Sequence, residues 1–129
     1  MVCGSRIRSR SEALAGGMPL YKYLGNRLLT FIENFVLGQN LSEYHTGFRA
    51  YSSKFLRMVP FHKYSDDFVF DQQIILGVLA NKGRIGEIPV PVRYFKEASS
   101  INFVRSVVYG FSILRDLLIH ILSGGRHFK

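Results

Sequence analysis

The feature that most restricts what this chain can become is a run of apolar residues at helical spacing, set between a proline and a glycine. Leu20, Leu24, Leu28, Phe31 and Phe35 recur every three or four positions, Pro19 suits a first helical turn, and Gly38 is the residue type that most readily closes a helix in the left-handed conformation. The spacing predicts a long helix from Pro19 to Gly38 with one apolar face. A second stripe, Val104, Val107, Val108, Phe111, Leu114, Leu118 and Ile121, leaves Arg105, Ser112 and Asp116 on its other side and predicts an amphipathic helix from Ser100 onward. A third helix is expected to begin at Ser65-Asp66-Asp67, residues suited to a cap and first turn, and to run through Ile74, Ile75, Val78 and Leu79 to Gly83.

Between these lie strand signals. Val2 and Cys3 read as the end of a strand leading into Gly4-Ser5-Arg6, followed by a polar loop with Arg8, Arg10, Glu12 and Gly16-Gly17 that ends at Met18. Thr46 to Tyr51 fits a short strand, and Ser52 or Ser53 then caps a brief helix that stops before Pro60. Ile88, Val90 and Val92 alternate as a strand does, but Pro89 and Pro91 lack the N–H of a ladder, which confines the segment to a sheet edge. Gly124 to Lys129 is expected to be a short, basic, mobile end.

Composition narrows the class. The 129 residues suffice for one small domain, and 47% hydrophobic with 20% charged residues argues against disorder over most of the length. Lys and Arg outnumber Asp and Glu by 17 to 9, a net charge of +8 that favours phosphate, nucleic acid or an anionic membrane surface without choosing among them. Nucleic acid is not the expected partner, because no aromatic residues interleave the basic N-terminal cluster. Cys3 has no second cysteine to pair with, in keeping with a reducing compartment, and Met1 to Arg10 lacks the apolar segment of a secretory signal. Arg115 and Asp116 interrupt the one apolar run near the C-terminus, so a membrane span is not expected.

Three segments in order, Gly4-Ser5-Arg6 with Gly16-Gly17 and Asn26-Arg27, then His45-Thr46-Gly47-Phe48-Arg49-Ala50-Tyr51, then Ser65 to Gln73 followed by Glu87 to Phe95, resemble family 2 glycosyltransferases. The likeness is to bacterial relatives of dolichyl-phosphate mannosyltransferase and other polyprenyl-phosphate glycosyltransferases, over the second half of their catalytic domain. It implies an α/β chain, a truncated GT-A domain whose Rossmann-like nucleotide-binding half is missing or supplied by a partner chain. By the resemblance, residues 1–98 are the acceptor side and residues 99–129 a membrane-interfacial helix with a basic tail. The family uses Mg or Mn held by an Asp-x-Asp motif, which does not occur in this sequence. The implied activity is hexosyl transfer, with inversion, from a nucleotide sugar to a lipid-linked phosphate or a glycan hydroxyl, at the cytoplasmic face of the membrane, and the isolated chain is expected to be inactive. The competing expectation is a non-catalytic basic domain that binds membranes or polyanions.

The resemblance places Arg6, Arg27 and Arg93 around the acceptor, where guanidinium groups suit paired phosphate oxygens. A solvated basic loop and a helix surface are the plain alternatives for Arg6 and Arg27. Gly47 lets backbone approach a sugar, with Thr46 and His45 beside it, and His45 is a metal-ligand candidate with no second ligand evident. Arg49 is open to substrate contact or to a salt bridge with Asp66 or Asp67. Asp66 and Asp67 are candidates for the catalytic base and equally for helix-capping carboxylates, and Asp71, one turn on, is a weaker candidate.

Overall fold

The computed structural model describes residues 1–7, 14–91 and 102–129. Its centre is a small sheet of order β2-β1-β3, in which β1 (Val2–Ser5) pairs antiparallel with β2 (Arg49–Ala50) and parallel with β3 (Gly86–Pro89). Cys3 stands opposite Arg49 on one side and Glu87 on the other. Gly4 is required here, because a Cβ would lie 2.7 Å from the Phe48 ring and 2.9 Å from Val90. The two prolines leave β3 at an edge, as their missing N–H groups demand.

The described residues form four α-helices: α1 (Leu20–Leu37), α2 (Ser53–Met58), α3 (Phe70–Ala80) and α4 (Phe103–Ser123). Ser52 caps α2 by accepting from the Phe55 N–H, and Gly38 ends α1 at φ 62°. The central element is α3, whose Ile74, Ile75, Leu76 and Val78 are all buried. Ile75 packs with Leu41 and Tyr44 near the sheet, and Leu76 packs with Ile113 and Leu117 of α4. The 41–44 loop is pinned from two sides. Asn34 donates to the Leu41 carbonyl at 2.8 Å and accepts from the Leu41 N–H at 2.9 Å, and the Glu87 carboxylate accepts from the Ser42 and Glu43 N–H groups at 2.8 and 3.1 Å.

The spacing left open what the two apolar stripes meet, and both face outward. Leu24, Leu28, Phe31 and Phe35 of α1 are 58 to 83% exposed, and Val104, Val108, Phe111, Leu118 and Leu122 of α4 are 55 to 76% exposed. Correspondingly α1 turns Thr30 and Glu33 inward, and Asp116 of α4, on the side opposite its stripe as the spacing predicts, is 1% exposed, accepting from Gln73 at 2.7 Å and pairing with Arg115 at 2.9 Å. That pairing also bears on the expected interruption of the apolar run: by length and composition α4 is apolar enough to cross a membrane, with 17% of its apolar window buried.

Smaller corrections follow the same logic of tertiary context. The Thr46–Tyr51 strand shrinks to Arg49–Ala50, because Thr46 is drawn inward and its hydroxyl accepts from the Phe48 N–H at 3.3 Å. The third helix starts at Phe70, not at Ser65, since the Ser65 hydroxyl accepts from the Asp67 N–H at 3.1 Å and closes a turn of its own. The C-terminal residues are anchored: Phe128 is 1% exposed against Leu76, Ile113 and Leu117, and its carbonyl accepts from the Tyr64 hydroxyl at 2.7 Å.

Candidate functional site

Beside the end of β1, a cavity of about 400 Å³ lies between α1, α4 and the 43–48 loop, a size suited to a small ligand. Each wall has its own chemistry. From α1 come Tyr21, Lys22, Asn26 and Leu29; from α4, Ser106 and Tyr109; from the loop, His45 and Gly47; Arg6 enters from β1 and Asp71 from α3. The α1 contribution follows from the inverted helix. Lys22, Asn26, Thr30 and Glu33 recur at three- and four-residue spacing, so the face opposite the apolar stripe delivers a polar row to the interior.

Arg6 is held in place. Its Nε donates to Glu43 Oε1 at 2.9 Å, its Nη2 donates to the same oxygen and to the His45 carbonyl at 2.6 Å, and its backbone N–H donates to Glu43 Oε2 at 2.8 Å. Glu43 is fully buried and also accepts from Asn26 Nδ2 at 3.0 Å. The Arg6 guanidinium therefore meets the cavity in a fixed pose with its charge partly offset, not as a loose cation. Lys22 adds the second positive group. Its pKa is pushed down by burial and by the nearby Arg6 charge, and an anion bound between the two would offset the second of these effects.

Burial pushes the Asp71 carboxyl up from its ordinary value, while the Arg49, His45 and Arg6 charges pull the other way. Arg49 is 1% exposed, with Nη1 3.7 Å from Asp71 Oδ1 and its remaining donors on the carbonyls of Thr46, Tyr44 and Asp71. Arg49 thus ties the loop to β2 and α3 from within. Of the residues singled out from sequence, Arg6, His45, Gly47 and Asp71 line the cavity together. Thr46 is buried behind it, and Gly47 leaves open space, since nothing lies within 4 Å of the Cβ it lacks. Arg27 stands apart on the exposed side of α1, with Nη1 donating to the Ser42 carbonyl at 3.0 Å. Asp66 and Asp67 are exposed in an adjoining groove of about 500 Å³ that shares Phe68 and Asp71 with the cavity. Arg93 lies outside the described residues.

Asn26 was part of a sequence motif but was given no role, and Lys22, Ser106 and Tyr109 were not singled out from sequence. The signal for Lys22 was the polar row on α1; Ser106 and Tyr109 carry no motif and are brought in only by the packing of α4 against α1 and α3. Among the described residues, no three His, Cys, Asp or Glu side chains converge as metal ligands, so these residues do not by themselves fit a divalent ion.

The chain is 29% identical over 118 residues to the UDP-N-acetylglucosamine–dolichyl-phosphate N-acetylglucosaminyltransferase of Methanococcus voltae, covering 92% of this chain and 45% of that protein. It is 29% identical over 119 residues to an uncharacterized protein of Methanocaldococcus jannaschii, covering 92% of this chain and 47% of that one. The chain therefore spans less than half the length of these relatives. No protein-family model matches it, and neither does any solved structure.

Proposed function

We propose that this chain is the acceptor-side part of a glycosyltransferase of the family 2, GT-A type, which passes a hexosyl group from a nucleotide sugar to a lipid-linked phosphate at the cytoplasmic face of a membrane. The observation that carries this reading is the cavity itself: Arg6, Lys22 and Asn26 converge at the seam of two helices whose outward faces are apolar. A phosphate ester on a hydrocarbon chain has both chemistries, an anion for the cations and a tail for the apolar surface. The glycosyltransferase named among the relatives, matched over 92% of this chain, supports the same class. The division into residues 1–98 and residues 99–129 belongs to this reading, with its boundary outside the described residues.

Lys22 and Arg6 would hold the phosphate oxygens, and Asn26 would keep Glu43 turned toward Arg6. Asp71 is the carboxylate best placed to orient the attacking group, with Asp66 and Asp67 in the neighbouring groove. A phosphate nucleophile is already ionised at neutral pH and needs little base; a glycan hydroxyl would need one. The nucleotide sugar and its Mg or Mn belong to residues beyond those described, so no step is derived through the metal.

The test is binding of farnesyl phosphate to this chain, compared with farnesol. Replacing one charge-assisted contact, Lys22→Met, is expected to weaken farnesyl phosphate binding by about tenfold to a hundredfold. Equal binding of farnesol and farnesyl phosphate, or an indifferent Lys22→Met, would point to the alternative, a basic domain that only docks on membranes.

A further inference from the structure

The α4 wall of the cavity carries a donor that the protein itself does not use. Tyr109 lines the cavity and is half-buried, and its ring is held from two sides. It stands edge-on to the His45 ring, with centroids 5.7 Å apart and planes at 84°, and it packs against the cluster of Leu76, Ile113 and Leu117. Among the described residues its hydroxyl makes no hydrogen bond. Nor is that hydroxyl walled in: the buried side-chain nitrogens and oxygens without a partner belong to Glu33, His45, Gln72 and His120, and none belongs to Tyr109. The phenol oxygen is close enough to Asp71, Arg49 and Arg6 to feel their charges, which sets it toward the side where Arg6 and Asp71 line the cavity. Ser106, one turn earlier on the same face of α4, differs, because its hydroxyl donates to the Asn102 carbonyl at 2.8 Å and its proton is committed.

We propose that the Tyr109 hydroxyl donates a hydrogen bond to a terminal oxygen of the bound phosphate ester, and that the ester is a monoester. The inference rests on the phosphate-acceptor reading above and deepens it by naming a recognition group and the class of phosphate. A phosphate monoester has three terminal oxygens, all of them strong acceptors. Arg6 from β1 and Lys22 from α1 bring cations to two walls of the cavity, and on the α4 wall Tyr109 holds the uncommitted proton. A phenol is protonated at neutral pH, so it adds a donor to the anion without the desolvation cost of a third buried cation. The ring is already fixed by His45 and the core cluster, so little freedom is lost when the contact forms.

Tyr109→Phe keeps the ring, its contact with His45 and its core packing, and removes only the hydroxyl. Because that hydroxyl bonds nothing in the protein, the variant is expected to melt as the parent chain does. It should bind farnesyl phosphate about tenfold more weakly and farnesol no differently. The methyl ester of farnesyl phosphate, a diester with one terminal oxygen fewer, should bind the parent chain and Tyr109→Phe alike. In the parent chain labelled with ¹³Cζ-tyrosine, saturation with farnesyl phosphate should move the Tyr109 resonance, assigned by its loss in Tyr109→Phe. Should the variant melt lower, that resonance in the parent chain still decides the matter. Parent-like binding of farnesyl phosphate by Tyr109→Phe, an equal loss for farnesol, or a Tyr109 resonance unmoved at saturation overturns the proposal while Lys22→Met remains defective. A tenfold loss for the diester as well overturns the monoester assignment, and a parent chain that does not bind farnesyl phosphate overturns the acceptor reading and this inference with it.

Discussion

Replacing Phe31, Phe35 and Phe111 together by serine should release the protein from a bilayer without unfolding it. The three rings are 70%, 83% and 69% exposed, so the fold draws little from them and the unfolding free energy should stay within about 0.5 kcal/mol of the parent value. Membrane partitioning is a different matter. Fully burying a phenylalanine side chain contributes about 2 kcal/mol, and rings that start three-quarters exposed retain most of that to gain at an interface, about 4 kcal/mol for the three. At 1.4 kcal/mol per factor of ten, this corresponds to a loss of roughly a thousandfold in the partition coefficient. The assay is co-sedimentation with phosphatidylglycerol-containing vesicles, with thermal melting in parallel. Binding that survives the substitutions should be the electrostatic remainder of a chain with net charge +8, and should fade with added salt. Undiminished binding at high salt would refute the seating of α1 and α4 in the bilayer, and a melting temperature lowered by many degrees would refute the outward placement of the rings.

Three further outcomes follow from the packing. Asp71→Asn should raise the melting temperature at pH 7, because burial is the main influence on Asp71 and penalises its charged form in the folded state. With the folded pKa above the unfolded 3.8, the folded state binds the extra proton, so the parent's deficit relative to the variant should shrink as pH falls toward 3.8; melting curves from pH 7 to pH 4 check the sign. Phe128→Ala should cost about 3 kcal/mol or more in urea unfolding, since it empties a fully enclosed ring site at the α3–α4 junction, whereas a tail without contacts would lose nothing. Gly4→Val should destabilise by at least about 1–3 kcal/mol, because its branches must displace Phe48 and Val90, and an equal melting temperature would contradict the strand pairing.

The sequence carried the elements better than their orientation. The existence of α1, α4 and the buried middle of α3 could be read from spacing, and the proline-limited edge strand from the missing N–H groups. Period alone states that a helix has an apolar face; it does not state whether that face meets a core or something outside the chain. Leu24 and Phe35 satisfy the pattern equally well in either case, and only the placement of Glu33 and Thr30 at 0% and 1% exposure resolves it. The start of α3 was missed for a related reason, because Ser65 is as good a residue for a local turn as for a helix cap. At the site, motif residues were found and their neighbours were not: Arg6, His45, Gly47 and Asp71 line the cavity, while Lys22 and Tyr109 belong to no motif and join it through helix packing.

The inverted helices and the buried polar row are two sides of one arrangement. A helix that turns Lys22, Asn26, Thr30 and Glu33 inward must turn its leucines and phenylalanines outward, and in water that face lacks the burial that ordinarily stabilises a helix. Part of the deficit is offset by partners that satisfy the buried charges: Glu43 with Arg6 and Asn26, Arg49 with three carbonyls and Asp71, Asp116 with Gln73 and Arg115. The remainder is recovered only if the outward face finds an apolar surface. Across the seam the exposed rings of Tyr21 and Phe103 meet edge-on at 5.4 Å, joining the two apolar faces beside the residues that line the cavity. Under the proposed acceptor reading, a lipid-borne phosphate would reach Lys22 and Arg6 while its hydrocarbon stays in the bilayer, and the same packing that leaves α1 unsatisfied in water would set the cavity where such an acceptor arrives.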